Sequence, residues 1–363
     1  MEIQFEKFNY PTDLAEQRKL FIECFPENIG TPVENISHYV WKFQSFPAKG
    51  DKKAFEYIAK LENEIIGYYA AIPYEYYIKG KLARIAMVCD VMTGTKARGK
   101  GVFTKLGVYS TNQFKKEGLA FSTGYPIRPE VIPGHRKAGW DFPFQIPMYG
   151  KFLKFNSFLK TRQKQYLTPF ANFIISIYNG LLRLFIKKSK SIIVERYTAI
   201  QLSKIIGFND FTEKWISENQ IALNKNIDFY NWRLGAPEKK YEIIVLRDDK
   251  SKEIQGYTII RSIIKEGVPC LGILDFNLLN KTRHLSKRLF WEIECSAKRL
   301  HTELILIMML KSKAKSFKAQ QTGYIKTPFA FSFIIKQFDD SFDANFLKNE
   351  NNWSLMWIDS DDL

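Results

Sequence analysis

Between Ala86 and Leu106 an apolar run ends in Thr93-Gly94-Thr95-Lys96-Ala97-Arg98-Gly99-Lys100-Gly101-Val102-Phe103, and a helix-like segment follows from Thr104 to Lys116. A strand that ends in a basic, glycine-spaced turn and then opens a helix directs several backbone N–H groups at one point, with the helix dipole behind them. That is the chemistry of a phosphate cradle. Gly99 and Gly101 permit close backbone approach or a positive φ, and Arg98 and Lys100 add positive charge. The spacing is not that of a P-loop, which requires Gly-x-x-x-x-Gly-Lys-Ser/Thr. Nor is it a Rossmann fingerprint, which requires a third glycine and an acidic residue about 20 positions on.

The elements around the turn read as strand (Ile3–Phe8), helix (Asp13–Phe25), strand (Ala54–Leu61), then hairpin strands over Ile65–Tyr77 and Leu82–Met92. Glu62-Asn63-Glu64 and Lys79-Gly80-Lys81 supply the turns between them. After the helix, Leu119 to Tyr125 reads as a short buried strand, and Gly139 suits a left-handed helix end with Trp140 packing back behind it. An antiparallel meander therefore becomes parallel at one crossover.

Arg98-Gly99-Lys100-Gly101-Val102-Phe103 resembles the Arg/Gln-x-x-Gly-x-Gly/Ala pyrophosphate loop of the GCN5-related N-acetyltransferases (GNAT), which bind acyl-coenzyme A. Gly134-His135-Arg136-Lys137-Ala138-Gly139-Trp140 resembles that family's Tyr-x-Lys-x-Gly-Phe helix end, and the likeness covers roughly residues 1–150. The resemblance implies that pantetheine pairs like an added strand with the backbone at Val91 and Thr93. It also implies that pyrophosphate takes N–H bonds from Gly99, Lys100, Gly101, Val102 and Phe103, with Arg98 and Lys100 as nearby charges.

For proton transfer, His135 stands where many members carry a tyrosine that protonates the leaving thiolate. A histidine near its ordinary pKa could donate a proton at neutral pH, and Tyr125 is the alternative donor. Asp90 and Glu75 are the candidate bases. Asp90 follows Ile85-Ala86-Met87-Val88-Cys89, where burial would raise its pKa toward a useful value. Glu130 would face the substrate in the family layout, and many relatives use no dedicated base at all. Nothing in the sequence activates the Cys89 thiol.

The chain has 363 residues, 45% apolar and 25% charged, which fits a folded protein of two domains. Its net charge of +16 favours polyanionic partners such as coenzyme A or anionic lipid. No aromatic and basic motif of a nucleic-acid module occurs, which argues against nucleic acid as partner. Four cysteines without a Cys-x-x-Cys pair, and four histidines without ligand spacing, point to a reduced cytoplasmic chain with no metal. Met1 to Lys7 reads as an acidic strand rather than a secretory leader.

Residues 151–195 form a linker region containing 17 uncharged positions from Tyr166 to Leu182, bounded by Lys160, Arg162 and Lys164 and by Lys187, Lys188 and Lys190. Pro169, Asn172 and Asn179 make it a poor transmembrane span. Helical spacing of Phe170, Ile174, Ile177 and Leu181 favours a helix buried between domains, with peripheral docking of 166–186 on an anionic membrane as the other reading.

Residues 196–363 then repeat the order of the first half: strands at Glu242–Arg247, Gly256–Ile264 and Pro269–Phe276, a helix from Arg283 to Leu300, a strand at Glu303–Leu310, a helix near Lys313–Gln321, and strands at Phe329–Ile335 and Ser354–Ile358. The loop from Asp275 to Leu285 contains no glycine, so the second copy should lack the cradle.

The expected architecture is an α/β (α+β) protein with a mixed sheet and two tandem GNAT-like domains, 1–150 and 196–363, the second degenerate. Such tandem chains resemble bacterial acetyltransferases, many associated with surface-polysaccharide synthesis. Acetyl-coenzyme A or another acyl-coenzyme A would be the donor, and a small-molecule amine such as an amino sugar the acceptor, in a pocket at the seam of the two halves. The rivals are a transferase using aminoacyl-tRNA and a non-catalytic scaffold at the inner face of the membrane.

Overall fold

The computed structural model describes residues 2–47, 54–184 and 191–361. Its first half runs β1 (Gln4–Lys7), α1 (Leu14–Cys24), α2 (Ile36–Tyr39, prolonged to Gln44 by a π turn), β2 (Phe55–Leu61), β3 (Glu64–Ile78), β4 (Lys81–Thr93), α3 (Val102–Lys116), β5 (Phe121–Gly124), α4 (Ile132–Lys137) and β6 (Asp141–Phe152). Helices α5 (Asn156–Thr161) and α6 (Thr168–Leu184) follow. The second half runs β7 (Ile192–Thr198), α7 (Phe208–Ser217), β8 (Ile221–Leu223), α8 (Ile227–Leu234), β9 (Glu242–Asp248), β10 (Ile254–Lys265), β11 (Val268–Leu278), α9 (Ser286–Arg299), β12 (Leu304–Met308), α10 (Lys311–Ser316), β13 (Ile325–Gln337) and α11 (Ala344–Lys348).

Alternation along the strands divides the core between the two faces of the sheet. Tyr68, Ala70, Ile72 and Tyr74 of β3 enter one apolar cluster, and Tyr69 and Ala71 enter another, beneath Val102, Leu106 and Phe114 of α3. The hairpins close through paired left-handed residues, Glu62-Asn63 (φ 51° and 68°), Lys79-Gly80 (49° and 78°) and Glu266-Gly267 (49° and 74°), the geometry that matches the twist of the flanking strands.

Among the described residues the strands form one sheet in the order β1-β2-β3-β4-β5-β13-β6-β12-β11-β10-β9-β7, with β8 paired to β3. The two halves therefore exchange strands. β6, a strand not anticipated from the sequence, pairs with β12 of the second half (Leu306 opposite Gly150), while β13 pairs with β5 (Ile335 opposite Thr123). Lys336 of β13 further ties the halves by donating from Nζ to Thr111 Oγ1 at 2.9 Å and to the Ala138 carbonyl at 2.7 Å. That carbonyl is at the end of α4, where a cation is favoured.

A second tie lies where α2 meets α8. Trp41 and Trp232 stack with centroids 5.6 Å apart, and each indole N–H donates to the other residue's carbonyl, at 2.5 and 2.8 Å. Tyr39-Val40-Trp41-Lys42 and Tyr230-Asn231-Trp232-Arg233 are thus equivalent segments facing each other across a pseudo-twofold axis.

Two expectations are revised. Ser354–Ile358 is not a strand, because its backbone makes a single bond to Ile221, an isolated bridge from Met356 to Met309, and a 3-10 turn over Trp357–Asp359. The apolar side of α6 is not buried between domains. Its polar stripe faces the protein instead: Asn172 accepts from the Phe155 N–H at 2.8 Å, Asn179 donates to the Phe152 carbonyl at 2.9 Å, and Arg183 pairs with Glu294. Phe170, Phe173, Ile174, Ile177 and Leu181 are left exposed. Residues 185–190, including Lys187, Lys188 and Lys190, lie outside the described residues.

Removing either stacked indole opens a cavity and orphans a carbonyl, so Trp41→Ala and Trp232→Ala should each lose about 3–5 kcal/mol in urea unfolding. The double variant should lose less than the sum by about 1 kcal/mol or more, because both report one contact. Additive losses would contradict the paired arrangement.

Candidate functional site

Regular pairing in β4 fails at one place. Tyr68 is opposite Met92 and Ala70 opposite Cys89, so Asp90 and Val91 together face Tyr69, and Asp90 takes a φ of 47°. On its other side β4 pairs with β5 only from Ala86 to Val88, opposite Ser122 to Gly124. Beyond Val88 the parallel strands part, and the backbone at Val91 and Thr93 has no β5 partner. A cleft of about 1270 Å³ opens there, lined by Val88 to Val91, Gly124 to Arg128 and His135 from the first half, and by Tyr241, Glu242, Ile260 to Lys265 and Asp361 from the second. It lies at the seam of the two halves.

The cradle borders the parted strands. A 3-10 turn over Thr95–Ala97 leads through Gly99 (φ 75°) and Gly101 (φ 74°) into α3, whose first residue is Val102. The N–H groups of Val102, Phe103 and Thr104 open the helix and have no acceptor within it. A Cβ placed on Gly99 would meet no atom within 4 Å, so that side of the turn is open space. The turn is held from behind, because Glu23 of α1 accepts from both the N–H and the hydroxyl of Thr95 at 2.6 Å. Those two bonds lower the pKa of Glu23.

At the bulge, Lys42 Nζ stands 2.8 Å from Asp90 Oδ1 and 3.8 Å from Asp361 Oδ2. Burial opposes both charges, but the contact outweighs it: the Lys42 pKa is raised, and the Asp90 carboxyl is held below its ordinary range by Lys42, with help from Arg18 and His38. Asp90 was expected to have a raised pKa, and the structure reverses the sign. His135 also departs from expectation. It is 4% exposed, its ring packs edge-on against Phe103 and Trp140, and burial pushes its pKa down to about 4. Its imidazole is neutral at pH 7, with Nδ1 unpartnered among the described residues.

Tyr125 lines the cleft, and burial raises its pKa well above the ordinary value, so it keeps its proton. Burial does the same to the Cys89 thiol, which therefore also keeps its proton. Glu75 stands apart from the cleft. It is paired in register with Arg84, toward the far end of β3, and accepts from Asn224 Nδ2 at 3.0 Å. Among the described residues, no group of three or more His, Cys, Asp or Glu side chains is placed to hold a metal ion.

Residues 11–143 match the family described as the acetyltransferase (GNAT) domain. The match spans the bulge, the cradle and α4, and supports an N-acyltransferase of the GNAT type. Solved structures share the fold over 93% of the chain. A probable N-acyltransferase from Enterococcus faecalis aligns with a TM-score of 0.63 at 12% identity, covering 93% of this chain and 73% of its own. A GCN5-related N-acetyltransferase from Anabaena variabilis gives 0.63 at 14% identity, with 93% and 73% covered. A tandem GNAT protein from the clavulanic acid biosynthesis pathway gives 0.61 at 10% identity, with 93% and 99% covered. No curated protein gives a significant sequence match.

The fold is accordingly a tandem of GNAT-like domains, and the second copy has closed the equivalent site. Its loop is anchored in the same way, with the Asn280 N–H on Glu218 Oε2 at 2.6 Å, but no glycine follows. Asp275, beside the bulge of β11 at Leu274, is fully buried under Lys225 (3.0 Å) and Tyr230. Asp359 of the C-terminal segment completes that plug, 2.8 Å from Lys225. Sequence reasoning missed Lys42, His38 and Asp361 at the first site. The repeated Tyr-x-Trp-basic segment was the signal that could have found Lys42.

The neutral state of His135 has a pH signature. Between its ordinary pKa of 6.5 and about 4 the unfolded chain binds a proton that the folded one does not. Stability is therefore complete above pH 6.5 and falls by roughly 3 kcal/mol as pH drops to 4. His135→Phe should flatten the acid limb of urea unfolding by that amount, and superimposable pH profiles would contradict it.

Proposed function

We propose that the first half binds acyl-coenzyme A, with acetyl-coenzyme A the expected donor, and transfers the acyl group to a primary amine held in the seam cleft. The observation that carries this reading is the conjunction of the open, glycine-spaced helix N-terminus with the parted strands. Gly99 to Phe103 would take the pyrophosphate, Arg98 and Lys100 would screen its charge, and Val91 and Thr93 would pair with pantetheine.

The amine lone pair attacks the thioester carbonyl, the C–N bond forms, the C–S bond breaks, and the thiolate takes a proton while the nitrogen loses one. Tyr125 and the neutral His135 are the groups in the cleft that can hydrogen-bond the sulfur. Asp90, paired with Lys42, is a positioning charge, and water takes the amine proton. An amino sugar of surface-polysaccharide synthesis remains the acceptor class proposed from resemblance. Donation from aminoacyl-tRNA leaves the cradle without a use.

The exposed face of α6 supports a location for this activity. Phe173 is 66% and Ile177 49% exposed on the side opposite the Asn172 and Asn179 anchors, with Lys160, Arg162 and Lys164 close by in the chain. An apolar stripe beside basic residues suits the interface of an anionic membrane. No described helix is long and apolar enough to cross one. We infer peripheral docking at the cytoplasmic face through 166–184. Residues 185 and 186 lie outside the described residues.

Calorimetric titration should show acetyl-coenzyme A binding to the wild type. Gly101→Glu should lose it at least a hundredfold while melting within a few degrees, since it forces a side chain into a positive φ and adds a like charge to the anion site. Absence of binding to the wild type would sink the reading. Vesicles containing phosphatidylglycerol should retain the wild type at low salt and release Phe173→Asp/Ile177→Asp, which should remain folded. Unfolding of that variant, or equal retention, would contradict docking through α6.

A further inference from the structure

The wall of the cleft supplied by the second half holds a cation with no ion-pair partner among the described residues. Arg261, near the end of β10, is half-buried, and both its Nε and its Nη1 are shut off from solvent without a hydrogen-bond partner among the described residues. Its guanidinium carbon lies 5.7 Å from the centre of the Tyr241 ring, a face that tolerates a cation without accepting a strong hydrogen bond. Three of the cleft's carboxylates are committed elsewhere. Asp90 and Asp361 face Lys42, and Glu242 holds Arg196 at 2.6 Å together with Arg299 at 2.5 Å. Glu238 is exposed.

A buried charged donor without a partner is costly, and in a folded chain it persists where a ligand satisfies it. We propose that Arg261 binds an anionic group, carboxylate or phosphate, on the acceptor, so that the substrate class is an amine carrying a second, negatively charged function. This rests on the seam cleft being the acceptor site. A guanidinium can offer a parallel pair of N–H donors, Nε with Nη2 or Nη1 with Nη2, to two oxygens of either anion, which fixes orientation as well as charge. An acceptor lacking the anion would leave those donors unpaired and be rejected, the asymmetry by which a polar site excludes a neutral analogue. The proposal also gives the second half a role: its own cradle is closed, and it contributes the residue that selects the acceptor.

The test is titration of malonate and, separately, of inorganic phosphate into the wild type, Arg261→Gln and Arg261→Lys, with and without saturating coenzyme A to fill the Gly99–Gly101 loop. With coenzyme A bound, at least one anion should bind the wild type and bind Arg261→Gln about tenfold more weakly, with Arg261→Lys intermediate. The stronger arm identifies carboxylate or phosphate as the group read. Arg261→Gln should melt at or above the wild-type temperature, since it removes an unpaired charge. Equal anion affinity in wild type and Arg261→Gln, or no anion binding to wild type that binds coenzyme A, would overturn the proposal and leave acyl-coenzyme A binding standing. Failure of coenzyme A itself to bind would overturn the acyl-transfer reading, and the coenzyme-free titrations would still decide whether Arg261 holds an anion.

Discussion

Lys42 is buried with its ammonium 2.8 Å from the Asp90 carboxylate, at the residue where β4 leaves regular pairing. Bringing two charges out of water is offset only by close contact, so each of these residues is fixed by the other. The consequence is mechanical. Asp90 is held in a left-handed conformation, the extra residue bends β4, and β5 stops following it after Gly124. The cleft exists because those strands part, and the Gly99–Gly101 turn borders the gap because it is the chain's exit from the same strand.

The rest of the architecture keeps that gap in place. β13 lies beside β5, so the strand that closes one side of the first half belongs to the second, and β6 makes the reciprocal contribution. Neither half can complete its sheet alone. Trp41 and Trp232 fix the angle between the halves at the pseudo-twofold axis, and Trp41 directly precedes Lys42 in the chain. The second half differs at the corresponding place: Asp275, beside the bulge of β11, is buried under Lys225 and Asp359, while Arg261 of β10 lines the seam cleft.

Much of this was legible in the sequence, for identifiable reasons. The hairpins, the crossover helix and the cradle follow from local chemistry: paired turn residues, apolar alternation, and glycines at Gly99, Gly101 and Gly139, all of which have positive φ. The tandem order was legible because it repeats. What was not legible depends on contacts between residues far apart in the chain. The strand exchange changes no local pattern in β6 or β13. The sign of the Asp90 shift depends on Lys42, 48 positions earlier. The apolar stripe of α6 has the same spacing whether it faces a core or the outside, and only the partners of Asn172 and Asn179 show which way it turned. Glu75 looked equivalent to Asp90 on an adjacent strand, yet it stands beyond the reach of the cleft.

The central claim is that the backbone between Gly99 and Thr104, together with the edge at Val91 and Thr93 that β5 leaves unpaired, is the donor site. Amide hydrogen exchange, with and without acetyl-coenzyme A, addresses both segments in one experiment. The account predicts slowed exchange over 91–93 and 99–104 and no change over 279–285, the equivalent loop of the second half. Protection at 279–285, or binding that leaves 99–104 unprotected, would contradict it.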